Sequence, residues 1–310
     1  MIYTDTLTYH TLPHILKESI CGRFFMSAGK NFYAKQIDKV LASAKEINQD
    51  EHPRIVVFSD CHRGNGTWND SFLNNKTLFQ AALGYYREND FTYIELGDGD
   101  ELWENRKFSD IEEIHSDIFQ QFLPFMLDGK MYMVWGNHDM VKSRKAPLSP
   151  SLPPCFPAVR ICDSSGNIKF NLIHGHQVDP LNNQFWKAAR WMVRYLWKPL
   201  ELAGIKDPTS SARNYKKRKA VEERMAGWAA SRESNLIAGH THRPTIPSGA
   251  AASPMSRGKY FNSGSCVHPN SITCLEIIYN QVSLIKWTSC PDENRYLKVC
   301  RHVIAGPVSV

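Results

Sequence analysis

Five short apolar runs, each followed at once by polar residues, constrain the fold of this 310-residue chain more than any other feature of its sequence. Their length and composition are typical of buried β-strands. Helical patterns over residues 71–88 and 110–127 separate the first three runs, so the alternation predicts an α/β fold with strands covered by helices. The runs are residues 55–58, 91–96, 131–135, 168–173 and 236–238.

The residues that follow these runs carry oxygen and nitrogen donors. They are Asp60 and His62, Asp98, Asn137 and His138, His174, and His240 and His242. Side chains at the carboxyl ends of such strands share one edge of the sheet, where open α/β sheets place their ligand sites. Asp and Asn oxygens mixed with His nitrogens suit Mn, Fe or Zn, and suit Mg or Ca poorly. The pattern predicts a pair of metal ions that activates water to hydrolyse a phosphate ester or pyrophosphate.

The same positions resemble the five ordered motifs of the calcineurin-like metallophosphoesterases. The motifs are Asp60-Cys-His62, Gly97-Asp98-Gly-Asp-Glu101, Gly136-Asn137-His138-Asp139, His174-Gly175-His176 and Gly239-His240-Thr241-His242. This resemblance implies a four-layer fold, a β-sandwich of two mixed sheets flanked by helices, which refines the simpler α/β prediction.

The resemblance also implies a role for each residue. Metal A would be held by Asp60, His62, Asp98 and His242, and metal B by Asp98, Asn137, His174 and His240, with Asp98 as the bridge. His138 would contact the phosphate and act as the general acid without binding metal. Asp139 would orient His138.

Three details resemble one branch of the family, the UDP-2,3-diacylglucosamine pyrophosphohydrolases. They are Glu101 and Trp103 in the second motif, a helical insert at residues 181–233, and the continuation of the last motif into Arg243-Pro244. His138 and His176 depart from that branch, which has Arg and Asp at these positions. The resemblance therefore implies the architecture of the branch and not its substrate.

Other residues beside the motifs are candidates for contact with the substrate. Arg63 and Arg243 directly follow ligand motifs, and Arg can pair bidentately with phosphate. Salt bridges to Glu101 or Glu104 are an equal alternative. For His176, contact with metal or phosphate and simple packing are both open.

The chain divides into a helical N-terminal extension at residues 1–50, a phosphoesterase domain at 51–289 and a C-terminal tail at 290–310. The insert at 181–233 carries twelve Lys/Arg and five Asp/Glu. Arg190 and Arg194 flank an apolar helical stripe there, which suits a cap that selects an anionic amphiphile or touches a membrane surface. Packing of the stripe on the core is the competing interpretation.

Composition narrows the functional classes further. Without a signal-peptide core or a membrane-spanning run, we expect a cytoplasmic protein with free thiols at its eight cysteines and only peripheral membrane contact. A serine/threonine protein phosphatase is the alternative enzyme, although a cap would obstruct a folded substrate. A nucleic-acid-binding or structural metalloprotein is the non-enzymatic alternative, but basic runs such as residues 216–219 are usually solvated helix faces.

Overall fold

Twelve strands form two sheets in the computed structural model, which describes residues 21–67, 70–144, 146–179, 190–191 and 214–310. The strands are β1 Lys45–Asn48, β2 Arg54–Phe58, β3 Thr92–Leu96, β4 Met131–Val134, β5 Cys155–Phe156, β6 Val159–Cys162, β7 Ile168–Leu172, β8 Leu236–Ala238, β9 Tyr260–Asn262, β10 Ser271–Ile278, β11 Gln281–Pro291 and β12 Leu297–Ser309. One sheet has the order β1-β6-β7-β8-β9, and the other has the order β12-β11-β10-β2-β3-β4-β5.

Five α-helices flank these sheets within the described residues. They are α1 Cys21–Leu41, α2 Lys76–Glu88, α3 Phe108–Ile114, α4 Ser116–Leu127 and α5 Tyr215–Arg232. Helix α5 begins where the side chain of Asn214 accepts a hydrogen bond from the backbone N–H of Lys217, a common N-cap arrangement. Among the helices of the described residues, none is long and apolar enough to span a membrane.

The layers follow from where the apolar side chains lie. Residues of both sheets, such as Ile94 and Phe170, share one core between the sheets. Helices α2, α3 and α4 pack on the outer face of the seven-stranded sheet. Helices α1 and α5 cover the five-stranded sheet, with Ile37 and Met225 buried in the same cluster. The fold is therefore a β-sandwich flanked by helices, which confirms the predicted fold class.

Three segments differ from the sequence-based expectations. The N-terminal extension, expected to be helical over residues 1–50, ends its helix at Leu41 within its described part, and the next segment forms β1 because Ile47 packs into the core between the sheets. The C-terminal tail, for which no structure was predicted, forms β12 and pairs with β11. Cys290 and Cys300 form a disulfide across this hairpin, so the expectation of free thiols is wrong for these two cysteines.

The predicted strands place their following residues at one edge of the sandwich. Strands β2, β3 and β4 are parallel neighbours, and their register pairs Phe58 with Glu95 and Leu96 with Val134. Strands β7 and β8 are parallel neighbours in the other sheet. The loops after these five strands therefore meet where the two sheets come together.

Candidate metal centre

The loops after the five strands bring the predicted ligands into three overlapping groups. Within each group the candidate donor atoms lie within 4.8 Å of one another. The groups are Asp60, His62 and His242; His62, Asp98 and His138; and Asp98, His174 and His240. Asp98 belongs to two of the groups, which is the position expected for a carboxylate that bridges two cations.

Hydrogen bonds fix which nitrogen of two histidines faces this centre. The Nδ1 of His174 lies 2.9 Å from the carbonyl oxygen of Leu96, and its Nε2 lies 3.1 Å from the Oδ2 of Asp98. The Nδ1 of His62 lies 2.9 Å from the Oε2 of Glu101, while its Nε2 lies 3.3 Å from the Nε2 of His242. Nitrogens held in this way leave the other ring nitrogen free to ligate a metal.

Left-handed backbone conformations recur at the candidate ligands. Asp60, His62, Asp98, His240 and His242 have φ angles between 49° and 66°. Such angles are uncommon for residues other than glycine, and strained residues of this kind cluster at functional sites. Glycines allow the close approach of the loops, because a Cβ at Gly136 would overlap the Oδ1 of Asp98.

The side-chain oxygen of Asn137 indicates that the site can hold a cation. Its side chain is buried, and its Oδ1 has no hydrogen-bond partner among the described residues. A buried amide oxygen without a partner costs free energy, and a cation can offset that cost. Asp, Asn and His donors together fit a pair of transition-metal ions.

Nearby histidines stabilise the ionised form of the two aspartates in the centre. Burial raises the pKa of Asp98, but the neighbouring His174 and His138 hold it well below its usual range. In the same way His242 and His174 lower the pKa of Asp60 to about 2 in spite of burial. Both carboxylates are therefore ionised at neutral pH and are ready to bind cations.

Glu101 holds His138 in this structure. The Nδ1 of His138 lies 2.9 Å from the Oε1 of Glu101, and its ring stacks on Trp103 with centroids 4.4 Å apart. Burial lowers the pKa of His138, but the charges of Glu101 and Asp98 raise it to about 10. Asp139, which was expected to orient His138, instead accepts hydrogen bonds from the backbone N–H of Gly136 and from Lys142.

Arg63 lies in a buried ion network behind the centre. Its guanidinium is completely buried and donates to both oxygens of Glu95 and to Asp100. Lys142 completes the network, with its Nζ 2.6 Å from Asp100. This placement does not support contact between Arg63 and a phosphate, and the partners are not the glutamates that the sequence suggested. The network joins the loops after β2, β3 and β4.

The remaining candidates lie at different distances from the centre. The ring of His176 is buried, with its centroid 5.5 Å from that of His174. Burial and the nearby histidines hold the pKa of His176 well below its ordinary value, so the ring is neutral. Arg243 is exposed and pairs with Glu222 of α5 at 2.8 Å. Arg190 is helical and half-buried, and Arg194 lies outside the described residues.

Two acidic residues at the site were not assigned by the sequence analysis. Glu101 was considered as a motif residue of one branch and as a partner for arginine but was given no role toward the histidines, although its position three residues after Asp98 was a usable signal. Asp179 is completely buried, and its Oδ2 lies 3.3 Å from the Nε2 of His240. Asp179 follows no strand directly, so nothing in the pattern of runs singled it out.

Donors of this kind, gathered at strand ends in a helix-flanked β-sandwich, define a metal-dependent hydrolase. The sequence profile of the calcineurin-like phosphoesterase family matches residues 53–244, more than half of the chain. The chain belongs to that family. No curated protein sequence matches it at a significant level.

Solved structures give weaker likenesses. A conserved uncharacterized protein from Streptococcus pneumoniae TIGR4, a predicted phosphoesterase, is 15% identical with a TM-score of 0.33, over 81% of this chain and 97% of that one. Vps29 from Chaetomium thermophilum is 13% identical with a TM-score of 0.37, over 84% and 99%. A protein serine/threonine phosphatase from Saccharomyces cerevisiae is 12% identical with a TM-score of 0.34, over 95% and 97%.

Proposed function

We propose that this protein is a phosphoesterase that uses two metal ions to hydrolyse a phosphate ester or a pyrophosphate. The observation that supports it most is the overlap of the three donor groups, two of which share Asp98. The unpartnered, buried Oδ1 of Asn137 adds a neutral donor to the same centre. Membership of the calcineurin-like phosphoesterase family supplies the reaction class.

The proposed ligands divide between two sites. Metal A takes Asp60, His62, Asp98 and His242, and metal B takes Asp98, Asn137, His174 and His240. The mixture of oxygen and nitrogen donors favours Mn, Fe or Zn. When bound, such a pair supplies a water of lowered pKa as the nucleophile and neutralises charge on the phosphoryl oxygens.

His138 is the proposed general acid. Glu101 holds its Nδ1, so the proton for the leaving oxygen comes from Nε2. Stacking on Trp103 limits rotation of the ring. A positioned acid of this kind contributes about 10²–10⁴ in rate. The leaving oxygen takes the Nε2 proton as its bond to phosphorus breaks, and a water proton restores the imidazolium.

The proposed substrate is a phosphorylated small or amphiphilic molecule. Helix α5, which lies in the insert, reaches the edge of the centre through Arg243–Glu222 and through Lys217, whose Nζ lies 3.1 Å from Asp179. An insert at this position resembles the cap of the UDP-2,3-diacylglucosamine pyrophosphohydrolase branch, whereas His138 favours a more general phosphoesterase. Arg190 and Arg194 are proposed to contact the larger part of the substrate.

The experiment is a substrate screen on the metal-reconstituted protein. Metal content is measured first by elemental analysis, and two ions per chain are expected with Mn or Zn. Phosphomonoesters, cyclic and linear diesters and nucleotide sugars are then compared as substrates. A folded protein that binds only trace metal and hydrolyses none of these classes would contradict the proposal.

The Asp98→Ala variant is the matched control for that screen. Because Asp98 is shared by both sites, its loss should empty both and abolish hydrolysis, whereas Asn137→Ala should weaken mainly metal B. If Asp98→Ala kept the activity of the unaltered protein, the hydrolysis would come from a contaminant or from another site.

A further inference from the structure

Asp179 lies between a candidate metal ligand and the insert. Its carboxylate is completely buried, with its Oδ2 3.3 Å from the Nε2 of His240 and 3.1 Å from the Nζ of Lys217. A buried carboxylate is tolerated only with compensating charge and hydrogen bonds. Lys217 supplies the charge, and an N–H on the Nε2 of His240 supplies a hydrogen bond.

The helix that carries Lys217 is firmly seated on the five-stranded sheet. Lys217, Val221 and Met225 follow one another at spacings of four residues, so they share one face of α5. Val221 and Met225 are buried in the core beneath that face. Arg224 also donates to the carbonyl oxygen of Val178, the residue before Asp179. The apolar contacts therefore bring Lys217 to Asp179 at a defined position.

We propose that Asp179 is a positioning residue for His240, and that Lys217 of the insert anchors Asp179, so that the insert contributes to the affinity of metal B. A histidine that binds metal through one ring nitrogen is oriented by an acceptor at the other nitrogen, and loss of that acceptor typically costs 10–100-fold in metal affinity or activity. Asp179 is the acceptor and Nε2 of His240 is the donor. This inference rests on the proposed dinuclear centre.

Metal binding and docking of helix α5 must favour each other equally. If docking of Lys217 favours metal B, then binding of metal B must favour docking of α5 by the same free energy. Addition of metal should therefore slow amide hydrogen exchange in the N-terminal turns of α5. The insert would then be coupled to the metal centre directly, through three side chains.

The test is metal binding rather than turnover. Mn²⁺ or Zn²⁺ is titrated into the metal-free protein by calorimetry for the unaltered chain, Asp179→Asn and Lys217→Met. We expect one of two binding steps to weaken by about 10–100-fold in Asp179→Asn, and the same step to weaken less in Lys217→Met. Lys217→Arg should restore part of the affinity, because it keeps the charge.

Lys219→Met is the matched control. Lys219 lies on the same helix, is 60% exposed and pairs only loosely with Glu223 at 3.8 Å. Its loss removes the same charge from α5 and should leave both binding steps unchanged. His240→Ala identifies the step that belongs to metal B, and Asp179→Asn should add little to its effect, because the two residues act as a unit.

Several outcomes would overturn the inference. They are unchanged binding in Asp179→Asn, equal weakening of both steps, or equal effects of Lys217→Met and Lys219→Met. The inference would also be contradicted if added metal did not slow amide hydrogen exchange in α5. If Asp179→Asn does not fold, metal titration of Lys217→Met, Lys217→Arg and Lys219→Met tests the inference without it. An unaltered protein that binds no metal would instead refute the proposed function itself.

Discussion

The Oε1 of Glu101 lies 2.9 Å from the Nδ1 of His138. The Oε2 of the same carboxylate lies 2.9 Å from the Nδ1 of His62 and 2.8 Å from the Nδ1 of His138. One side chain therefore orients both the proposed general acid and a proposed metal A ligand. Both histidines are left with Nε2 directed away from Glu101, toward the substrate or the metal.

Glu101→Gln is expected to lower activity by about 10–100-fold and to weaken metal A. The amide keeps only one acceptor oxygen, its NH2 group cannot accept a hydrogen bond from a histidine, and the negative charge that both rings share is lost. Steady-state kinetics at saturating metal, together with metal titration, separate the two effects. Glu113→Gln, at an exposed position of α3, is the control and should behave like the unaltered enzyme. Equal kinetics and equal metal binding for Glu101→Gln would exclude this double role.

The pH dependence of the stability of metal-free protein tests the ionic contacts of Glu101 with His138 and His62. Glu101 and Asp98 raise the pKa of His138 to about 10 in spite of burial. A folded-state pKa raised above the unfolded value of about 6.5 contributes stability that is complete below about pH 6.5 and is lost as pH rises through about 10. The stability advantage of the unaltered chain over Glu101→Gln should therefore shrink between these values. Urea unfolding at pH 6, 8 and 10 measures it, and a constant difference would refute the assignment.

His138→Ala should retain both metals and lose about 10²–10⁴ in rate, since only the proton donor is removed. The loss should be greatest for alkyl phosphates, whose poor leaving groups need a proton, and smallest for nitrophenyl phosphate. Comparison of kcat for the two substrates measures this selectivity. If both substrates lost activity by the same factor, His138 would act by binding phosphate and not by protonating the leaving oxygen.

How far the sequence predicts the site depends on the kind of contact. The prediction that Asp60, Asp98 and Asn137 lie near one another rests on topology, because each follows one of the parallel strands and the ends of such strands share an edge. The residue that holds His138 could not be predicted from its neighbours in the sequence. The loop after β4 turns Asp139 toward Gly136 and Lys142, while Glu101 arrives from the loop after β3.

Tertiary packing explains the other differences. Arg63 follows a ligand motif, yet it lies beneath the loop because Glu95 and Asp100 neutralise it there. Ile47 lies in a strand and not in a continued helix because β1 pairs with β6, which is more than a hundred residues away in the sequence. Such long-range pairings outweigh local propensity and leave no periodic signal.

Lys142→Met is expected to destabilise the protein by roughly 3–5 kcal/mol, because it leaves buried Asp139 without a cation and leaves buried Asp100 with Arg63 alone. Urea unfolding at pH 7 measures the change in the free energy of unfolding. Lys130→Met is the control, since its partner Asp90 is largely exposed and loss of the Lys130–Asp90 pair should cost less than about 1 kcal/mol. Similar losses for the two variants would show that the buried network adds nothing beyond a surface pair.

The same network predicts sensitivity to acid. Burial raises the pKa of Asp100, but Arg63 and Lys142 lower it to about 2. A depressed folded-state pKa gives stability that is present above the unfolded value of about 3.9 and is lost as pH falls through about 2. The difference between the unaltered chain and Lys142→Met should therefore decrease as pH falls below about 4. Unfolding curves at pH 3, 4 and 7 check this trend.

Gly136→Ala is expected to weaken metal binding more than it weakens the fold. A Cβ at Gly136 would overlap the Oδ1 of Asp98 and would displace the proposed bridging ligand. Gly84→Ala is the matched control, because its Cβ meets nothing within 4 Å and should stabilise α2 by about 0.5–1 kcal/mol. Metal stoichiometry and thermal unfolding, measured on both variants, distinguish the effects. Two tightly bound ions in Gly136→Ala would mean that Asp98 need not occupy the position seen here for the centre to form.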